Sequence, residues 1–161
     1  MREPQRMRPK KSLGQHFLAD QQVVDDVVAA LDVRRGDQVL EIGPGQGVLT
    51  RALIQAGARV VAVELDADLI PELRELPIEV VEADILKVDP GQVFGSGAYK
   101  VAGNIPYYIS SPILRHLLEA QPKPDLIVLM LQKELAERVV AAPGGMSLLS
   151  VSVQLYGRPE I

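Results

Sequence analysis

Residues 37–65, DQVLEIGPGQGVLTRALIQAGARVVAVEL, constrain the fold more than any other stretch of the chain. DQVLEIG is short and apolar, as a strand buried on both faces must be. GVLTRALIQAG repeats its apolar residues at helical spacing and closes on Gly57, which is free to take a left-handed cap. ARVVAVEL is a second buried strand. Two strands joined through a helix by connections this short pair in parallel with a right-handed crossover. Upstream, Asp20 is positioned to cap a helix that sets Val23, Val24, Val27, Val28 and Leu31 on one side and Asp25 and Asp26 on the other. Downstream the alternation continues: a helix at 67–75 interrupted by Pro71, a strand at IEVVEAD, an irregular glycine-rich stretch at 89–98, and a strand at YKVAGN. Ser111 followed by Pro112 predicts a capped start for the helix ILRHLLEA. DLIVLMLQ reads as the most apolar strand, KELAERVVA as its helix, and SLLSVSVQL (147–155) as a sixth strand. This alternation predicts an α/β fold with a mostly parallel sheet.

A chain of 161 residues, 47% hydrophobic and 24% charged, fits one domain with a substantial core. The absence of cysteine removes disulfides and thiolate metal sites, and the two histidines carry no ligand-spaced carboxylates, so no metal is expected. The longest apolar run, Leu126 to Leu131, is too short to span a bilayer, and the amino terminus lacks the apolar stretch of a secretion signal. A cytoplasmic protein without a membrane partner is expected. The net charge of −4 is unevenly spread: residues 1–12, with Arg2, Arg6, Arg8, Lys10 and Lys11 against Glu3, hold about +4 and the remainder about −8. The chain therefore divides into a basic tail, 1–12, and a domain, 13–161. The tail is either a solvated extension or an arm that touches phosphate.

In an open α/β sheet, ligands collect at the carboxyl ends of the strands. The first such end carries Glu41, Gly43, Gly45 and Gly47, glycines that permit a tight turn and close approach of a ligand to the backbone. The second ends at Glu64, 23 residues after Glu41, where a carboxylate can accept both hydroxyls of a ribose. The third ends in Asp84 and the fourth in GNIPYY. A dinucleotide fingerprint would want glycine at Val48, and the Gly-Lys-Ser/Thr of a phosphate-binding loop is absent. Glu41, beside the turn, suits a cationic ligand better than a phosphate. A nucleoside with a positive group is S-adenosylmethionine.

KSLGQHFL, EIGPGQGVLT, VELD, EADIL, GNIPYYISSPIL and LQKELAERV occur in the order and spacing of the ribosomal RNA adenine dimethyltransferases, a resemblance that runs from Lys11 through nearly the whole chain. GQHFL and EIGPGQG look more like the enzymes acting on small-subunit RNA than the large-subunit enzymes that give macrolide resistance. The resemblance implies a Rossmann-like class I S-adenosylmethionine-dependent methyltransferase fold, here without the last strand and the C-terminal helical domain. It implies dimethylation of adenine amines in ribosomal RNA of the small ribosomal subunit, S-adenosylhomocysteine as product, a role in subunit biogenesis, and a monomer at full length. His16 and Leu18 would line the methionine end of the cofactor with Gln15 nearby. His16 stands where relatives often carry Asn, so a backbone contact is implied there. Gly43 would lie under the cofactor, Glu64 would hold the ribose and Asp84 the adenine amine, with Glu41 and Gly45 completing the turn. Asn104 would face the methyl-transfer centre.

An adenine amine is a poor nucleophile because its lone pair is delocalised into the ring. The Asn104 side-chain oxygen and a carbonyl from Ile105 or Pro106 can each accept one amine hydrogen and hold the nitrogen in near-attack geometry. The resemblance implies that Tyr107 stacks on the target base, worth about 1–3 kcal/mol. Tyr108 packs inward or flanks the site, and His116 is expected on a helix surface. Rival readings are a DNA adenine or small-molecule methyltransferase and a non-catalytic RNA-binding factor. Without a seventh strand beside DLIVLMLQ, the chain is also expected to associate more readily, and to be less stable, than a longer form. If the basic tail contacts phosphate, removing residues 1–9 weakens RNA binding and flattens its salt dependence. An unchanged salt slope in a titration would identify a solvated tail.

Overall fold

The computed structural model describes residues 20–161. Helix α1 (Gln21–Ala30) begins where the Asp20 carboxylate accepts the Gln22 amide at 2.9 Å, and it buries Val24 and Val27. Strand β1 (Gln38–Ile42) follows, then α2 (Val48–Gln55), β2 (Arg59–Glu64), the short α3 (Ile70–Leu73), β3 (Glu79–Glu82) and α4 (Pro90–Phe94). The chain continues through β4 (Lys100–Asn104), α5 (Ser110–Glu119), β5 (Leu126–Met130), α6 (Lys133–Val139) and α7 (Leu148–Tyr156).

All five strands run parallel in the order β3-β2-β1-β4-β5. β1 is central because Val39, Leu40, Glu41 and Ile42 are all buried, which only a strand covered on both faces tolerates. Alternate residues feed two cores. Val39, Val60, Ala62 and Ala102 pack beneath α1 and α2 with Val24, Val27, Leu31, Leu49 and Leu53. Leu40, Ile42, Val63 and Val101 pack on the other face with Ile85, Phe94, Tyr99, Ile113 and Leu117. Lys100, at the start of β4, ties the end of α1 to the sheet: its ammonium donates to the carbonyls of Leu31 and Asp32 and pairs with Asp37 at 2.8 Å. That bond to Lys100, with the Arg34 amide, holds the Asp37 carboxyl below its usual pKa.

The β1–α2–β2 unit, the cap at Asp20 and the strands at IEVVEAD, YKVAGN and DLIVLMLQ match the expectation from sequence. Three local expectations are corrected. The stretch 89–98 is not wholly irregular: Asp89 caps α4 by accepting the Gly91 amide at 2.9 Å. Ser111 does not cap α5, because a 3-10 turn, Tyr107–Ile109, runs straight into the helix, and Ser110 is already helical with its hydroxyl on the Pro106 carbonyl at 3.0 Å. Pro112 then sits in the first turn, where its missing N–H breaks no helical bond.

The third correction is larger. SLLSVSVQL is helix α7, not a strand. Ser147 and Ser150 form a reciprocal capping box, and Gln154 donates to the carbonyls of Val139 and Ala141 at 3.0 Å, fixing α7 to the end of α6. Val153 packs with Leu114 and Val139, with Leu149 beside them, whereas Leu148 and Leu155 are 85% and 79% exposed. β5 remains an edge strand among the described residues. A strand would have set Val151, Val153 and Leu155 on one face. The helix separates them, so Val153→Ala should cost about 1–3 kcal/mol and Leu155→Ala less than about 0.5 kcal/mol in denaturant unfolding. Equal losses at the two positions would contradict the helical packing.

Candidate cofactor and adenine site

Parallel strands bring every strand-to-helix turn to one edge, and the order reverses between β1 and β4, where an open sheet leaves a crevice. A cavity of about 400 Å³ occupies that position. Glu41, Gly43 and Gly45 of the first turn, Glu64 at the end of β2, Asp84 after β3, Asn104 at the end of β4 and Tyr107 all line it. The structure thus brings together every candidate residue inside the described range. Gln15, His16 and Leu18 lie outside the described residues.

The turn after β1 depends on its glycines. Gly43, Gly45 and Gly47 have φ of 63°, 59° and 74°, values that a side chain strains. Arg51 closes the turn by donating to the carbonyls of Gln46 and Gly47 at 2.7 and 2.9 Å. On the other side the Gly43 amide donates to the Val63 carbonyl. The Glu64 carboxylate accepts from Gly45 at 3.1 Å and from Leu65 and Asp66 at 2.9 Å each. Three backbone amides are strong partners for a buried anion. Asp84 serves its own turn through Oδ1, accepting the Leu86 amide at 3.0 Å.

Glu41 is different. It is 1% exposed, and its Oε2 and the nearby Thr50 hydroxyl complete no hydrogen bond. Burial pushes its carboxyl up to about 7; the Thr50 hydroxyl lowers it somewhat, and the charge of Glu64 raises it. Three backbone amides reach Glu64 on the neighbouring strand, whereas Glu41 Oε2 has no hydrogen-bond partner.

In the GNIPYY segment, Ile105 is buried and its amide donates to Met130 of β5 at 3.3 Å. The Pro106 carbonyl is engaged by the Ser110 hydroxyl and the Ile109 amide, at 3.0 and 3.2 Å. That leaves the Ile105 carbonyl as the better acceptor of the two that the sequence offered. Tyr107 and Tyr108 are 59% and 61% exposed at the mouth of the cavity, so Tyr108 flanks the site rather than packing inward. His116 is half-buried with a ring nitrogen 2.8 Å from the Val88 carbonyl, a tie between α5 and the loop before α4 rather than a bare surface residue. Sequence reasoning gave no role to Leu65, Ile85, Met130 or Gln132, which also line the cavity. Their signal was only that each lies within a strand or strand-end segment: Leu65 in VELD, Ile85 in EADIL, and Met130 and Gln132 in DLIVLMLQ. Gly103 sets the spacing beneath the site: a Cβ there would lie 2.8 Å from the Ile42 carbonyl oxygen.

Five parallel strands, helices on both faces and acidic strand ends around one crevice define a Rossmann-like methyltransferase domain. A family model described as ribosomal RNA adenine dimethylase matches residues 6–158, and the chain belongs to that family. Ribosomal RNA small subunit methyltransferase A of Dehalococcoides mccartyi (strain ATCC BAA-2266 / KCTC 15142 / 195) is 44% identical over all of this chain and 57% of its own length. The protein of the same name from Alkaliphilus metalliredigens is 42% identical over 99% of this chain and 59% of its own length. The chain thus spans somewhat over half the length of these curated relatives. A dimethyladenosine transferase from Plasmodium falciparum superposes with a TM-score of 0.76 at 34% identity, over 87% of this chain and 52% of that one. The 23S rRNA methyltransferase ErmE gives 0.72 at 34% identity, over 84% and 56%.

The raised carboxyl of Glu41 has a direct consequence for stability. The unfolded chain gives up this proton near pH 4.5 and the folded chain only near 7, so stability falls as pH rises through that window. Glu41→Gln should remove this fall, on the order of 3 kcal/mol, from the difference between unfolding curves at pH 5 and 8. Parallel pH dependence in wild type and variant would mean that Glu41 ionises normally.

Proposed function

We propose that residues 13–161 form the cofactor-binding domain of an enzyme that transfers methyl groups from S-adenosylmethionine to adenine amines of small-subunit ribosomal RNA. Two methyls go to each adenine, the product is S-adenosylhomocysteine, and the reaction contributes to small-subunit biogenesis in the cytoplasm. Residues 1–12 are the basic tail of an enzyme that acts as a monomer. The observation that carries this reading is the convergence of Glu64, Asp84 and Asn104, from three strand ends, on one cavity with Tyr107 at its mouth. Family membership and the names of the relatives support the RNA substrate. Among the described residues no helix is long and apolar enough to cross a membrane.

The residues fit the cofactor. The cavity is within the size range of small-ligand sites, and the unpartnered Glu41 oxygen is a buried negative or hydrogen-bonding group awaiting a polar ligand. Glu64 would take the ribose, Asp84 the adenine amine, and Gln15, His16 and Leu18 the methionine end. A carboxylate offers about four acceptor positions, and amides already hold three on Glu64. A ribose diol draws on the remaining position and on the long bond to Gly45, so ribose contact and the glycine turn are coupled.

The cofactor supplies an electrophilic methyl on a sulfonium. Asn104 and the Ile105 carbonyl accept the two hydrogens of the target amine, which turns its lone pair out of conjugation. These bonds strengthen as positive charge develops on the nitrogen, and that difference is transition-state stabilisation. No general base is required for the transfer itself. Tyr107 offers an exposed π-face to an unstacked adenine, a seat most easily filled from a single-stranded or loop segment.

The test is transfer of tritiated methyl from S-adenosylmethionine to under-methylated small-subunit RNA by the whole protein, with DNA as the control substrate. Asn104→Ala should cut turnover by about 10²-fold or more while changing RNA affinity little, and Tyr107→Ala should also weaken RNA binding. Near-normal turnover in Asn104→Ala would overturn the amine-positioning mechanism. Preference for DNA, or binding of RNA without transfer, would favour the rival readings.

A further inference from the structure

The site described above leaves one exposed aromatic without a task. Of the four tyrosines, Tyr99 is 1% exposed, stacks on Phe94 with ring centroids 4.5 Å apart, and donates its hydroxyl to the Pro122 carbonyl at 3.0 Å. Tyr156 lies under the Lys123 ammonium, 5.0 Å from its ring centre. Tyr107 and Tyr108 have neither a ring partner nor a bonded hydroxyl among the described residues, although both line the cavity. The flanking isoleucines explain their exposure. Ile105 is buried and Ile109 packs against the same core, so the two residues between Pro106 and Ile109 are turned to solvent. They belong to a 3-10 turn, in which successive side chains point about 120° apart. Rings that diverge in this way do not share one base face; each presents its own.

The direction of the helix that follows is a second observation. The 3-10 turn runs straight into α5, and the path from Tyr108 to Arg115 makes about two full turns and rises roughly 11 Å. The two side chains therefore lie on one face, with the exposed Ser111 between them. Arg115 is 78% exposed in its side chain and meets Glu119 at 2.9 Å. An exposed pair of this kind is weak, so the guanidinium is available to a phosphate. Drawing an adenine out of a stacked strand also strips its neighbour of a π-face. Resting on the RNA reading proposed above, we infer that Tyr108 stacks on the nucleotide adjacent to the target adenine and that Arg115 holds a phosphate of the same strand, so that single-stranded RNA leaves the site along the exposed face of α5. The chemistry suits a strand: an exposed π-face accepts any base, and a planar guanidinium takes phosphate oxygens in pairs. No covalent bond changes in this contact. It seats the strand while Asn104 and the Ile105 carbonyl hold the amine.

The test compares a ligand of one base with a ligand of several. Adenosine 5′-monophosphate and single-stranded oligoadenylate are titrated into the 161-residue chain saturated with S-adenosylhomocysteine, which keeps both from the cofactor's own adenine position. Tyr108→Ala should weaken oligoadenylate binding about tenfold or more while changing monophosphate binding less than about twofold. Tyr107→Ala should weaken both. Tyr108→Phe should bind as wild type does, and Tyr108→Leu, which keeps apolar bulk without a π-face, should behave as Tyr108→Ala and replaces it if the alanine variant fails to fold. Arg115→Ala should reduce the slope of log affinity against log salt by about 0.7, the share of one phosphate on a single strand. Unchanged oligoadenylate affinity in Tyr108→Ala and Tyr108→Leu, or equal losses for the two ligands, overturns the stacking inference, and an unchanged salt slope in Arg115→Ala overturns the phosphate contact. In tritium transfer by the whole protein, Tyr108→Ala should raise KM for RNA about tenfold with a smaller change in kcat, the reverse of Asn104→Ala. Transfer by wild type with KM unmoved in Tyr108→Ala overturns the inference and leaves the methyltransferase reading standing. Wild type that neither transfers methyl to RNA nor binds oligoadenylate overturns that reading, and the inference with it. Wild type that binds without transfer favours the non-catalytic RNA-binding reading, and the comparison of the two ligands still decides the inference.

Discussion

Five strands pointing the same way require every return path to cross a face of the sheet, and that single requirement orders the rest of the molecule. It places helices on both faces, which makes β1 the buried centre, and it collects the strand-to-helix turns along one edge. The residues that line the cavity are therefore far apart in sequence and close in space. Glu41 is the penultimate residue of β1, Glu64 and Asn104 close β2 and β4, Asp84 follows β3 by two residues, and the sheet aligns them. Nothing in the loops has to bring them together.

The same edge shows how backbone geometry decides the state of a side chain. Glu64 reaches a cluster of amides created where β2 ends and the glycine turn passes overhead. Glu41 is two residues lower along the sheet, buried, with the Thr50 hydroxyl beside it and one carboxyl oxygen without a partner. A shift of two residues along the sheet separates a carboxyl group held by three amides from one whose burial pushes it up to about 7. Such differences are characteristic of sites that bind charge, because the strand framework is too stiff to relax around an unmet group.

Much of this was legible in the sequence. Short apolar runs with an acid or Asn at or near their ends marked the strands and the edge where the cavity lies, since a strand buried on both faces carries few polar residues before it emerges. What was hidden depended on neighbours. SLLSVSVQL alternates well enough to pass for a strand, and only Val153 against Leu114 and Val139, with Gln154 capping α6, reveals the helix. Ser111-Pro112 looked like a helix start because the preceding 3-10 turn has no sequence mark of its own. The partner of His116, the engaged carbonyl of Pro106 and the stranded oxygen of Glu41 are all contacts across the fold, which local pattern does not encode.

Gly103 lies at the rung between Ile42 and Leu129, immediately before Asn104, and a Cβ there would come within 2.8 Å of the Ile42 carbonyl oxygen. The interstrand gap at this rung is thus gauged by hydrogen alone. Any side chain would act as a wedge, prising β4 from β1 and tilting the asparagine that follows. Near-attack geometry is lost over about an ångström, at a cost of roughly a hundredfold in rate. Under the proposed amine-positioning role of Asn104, a single methyl group here would detune the site before the overall architecture, which makes this position a dimensional standard for the cavity above it.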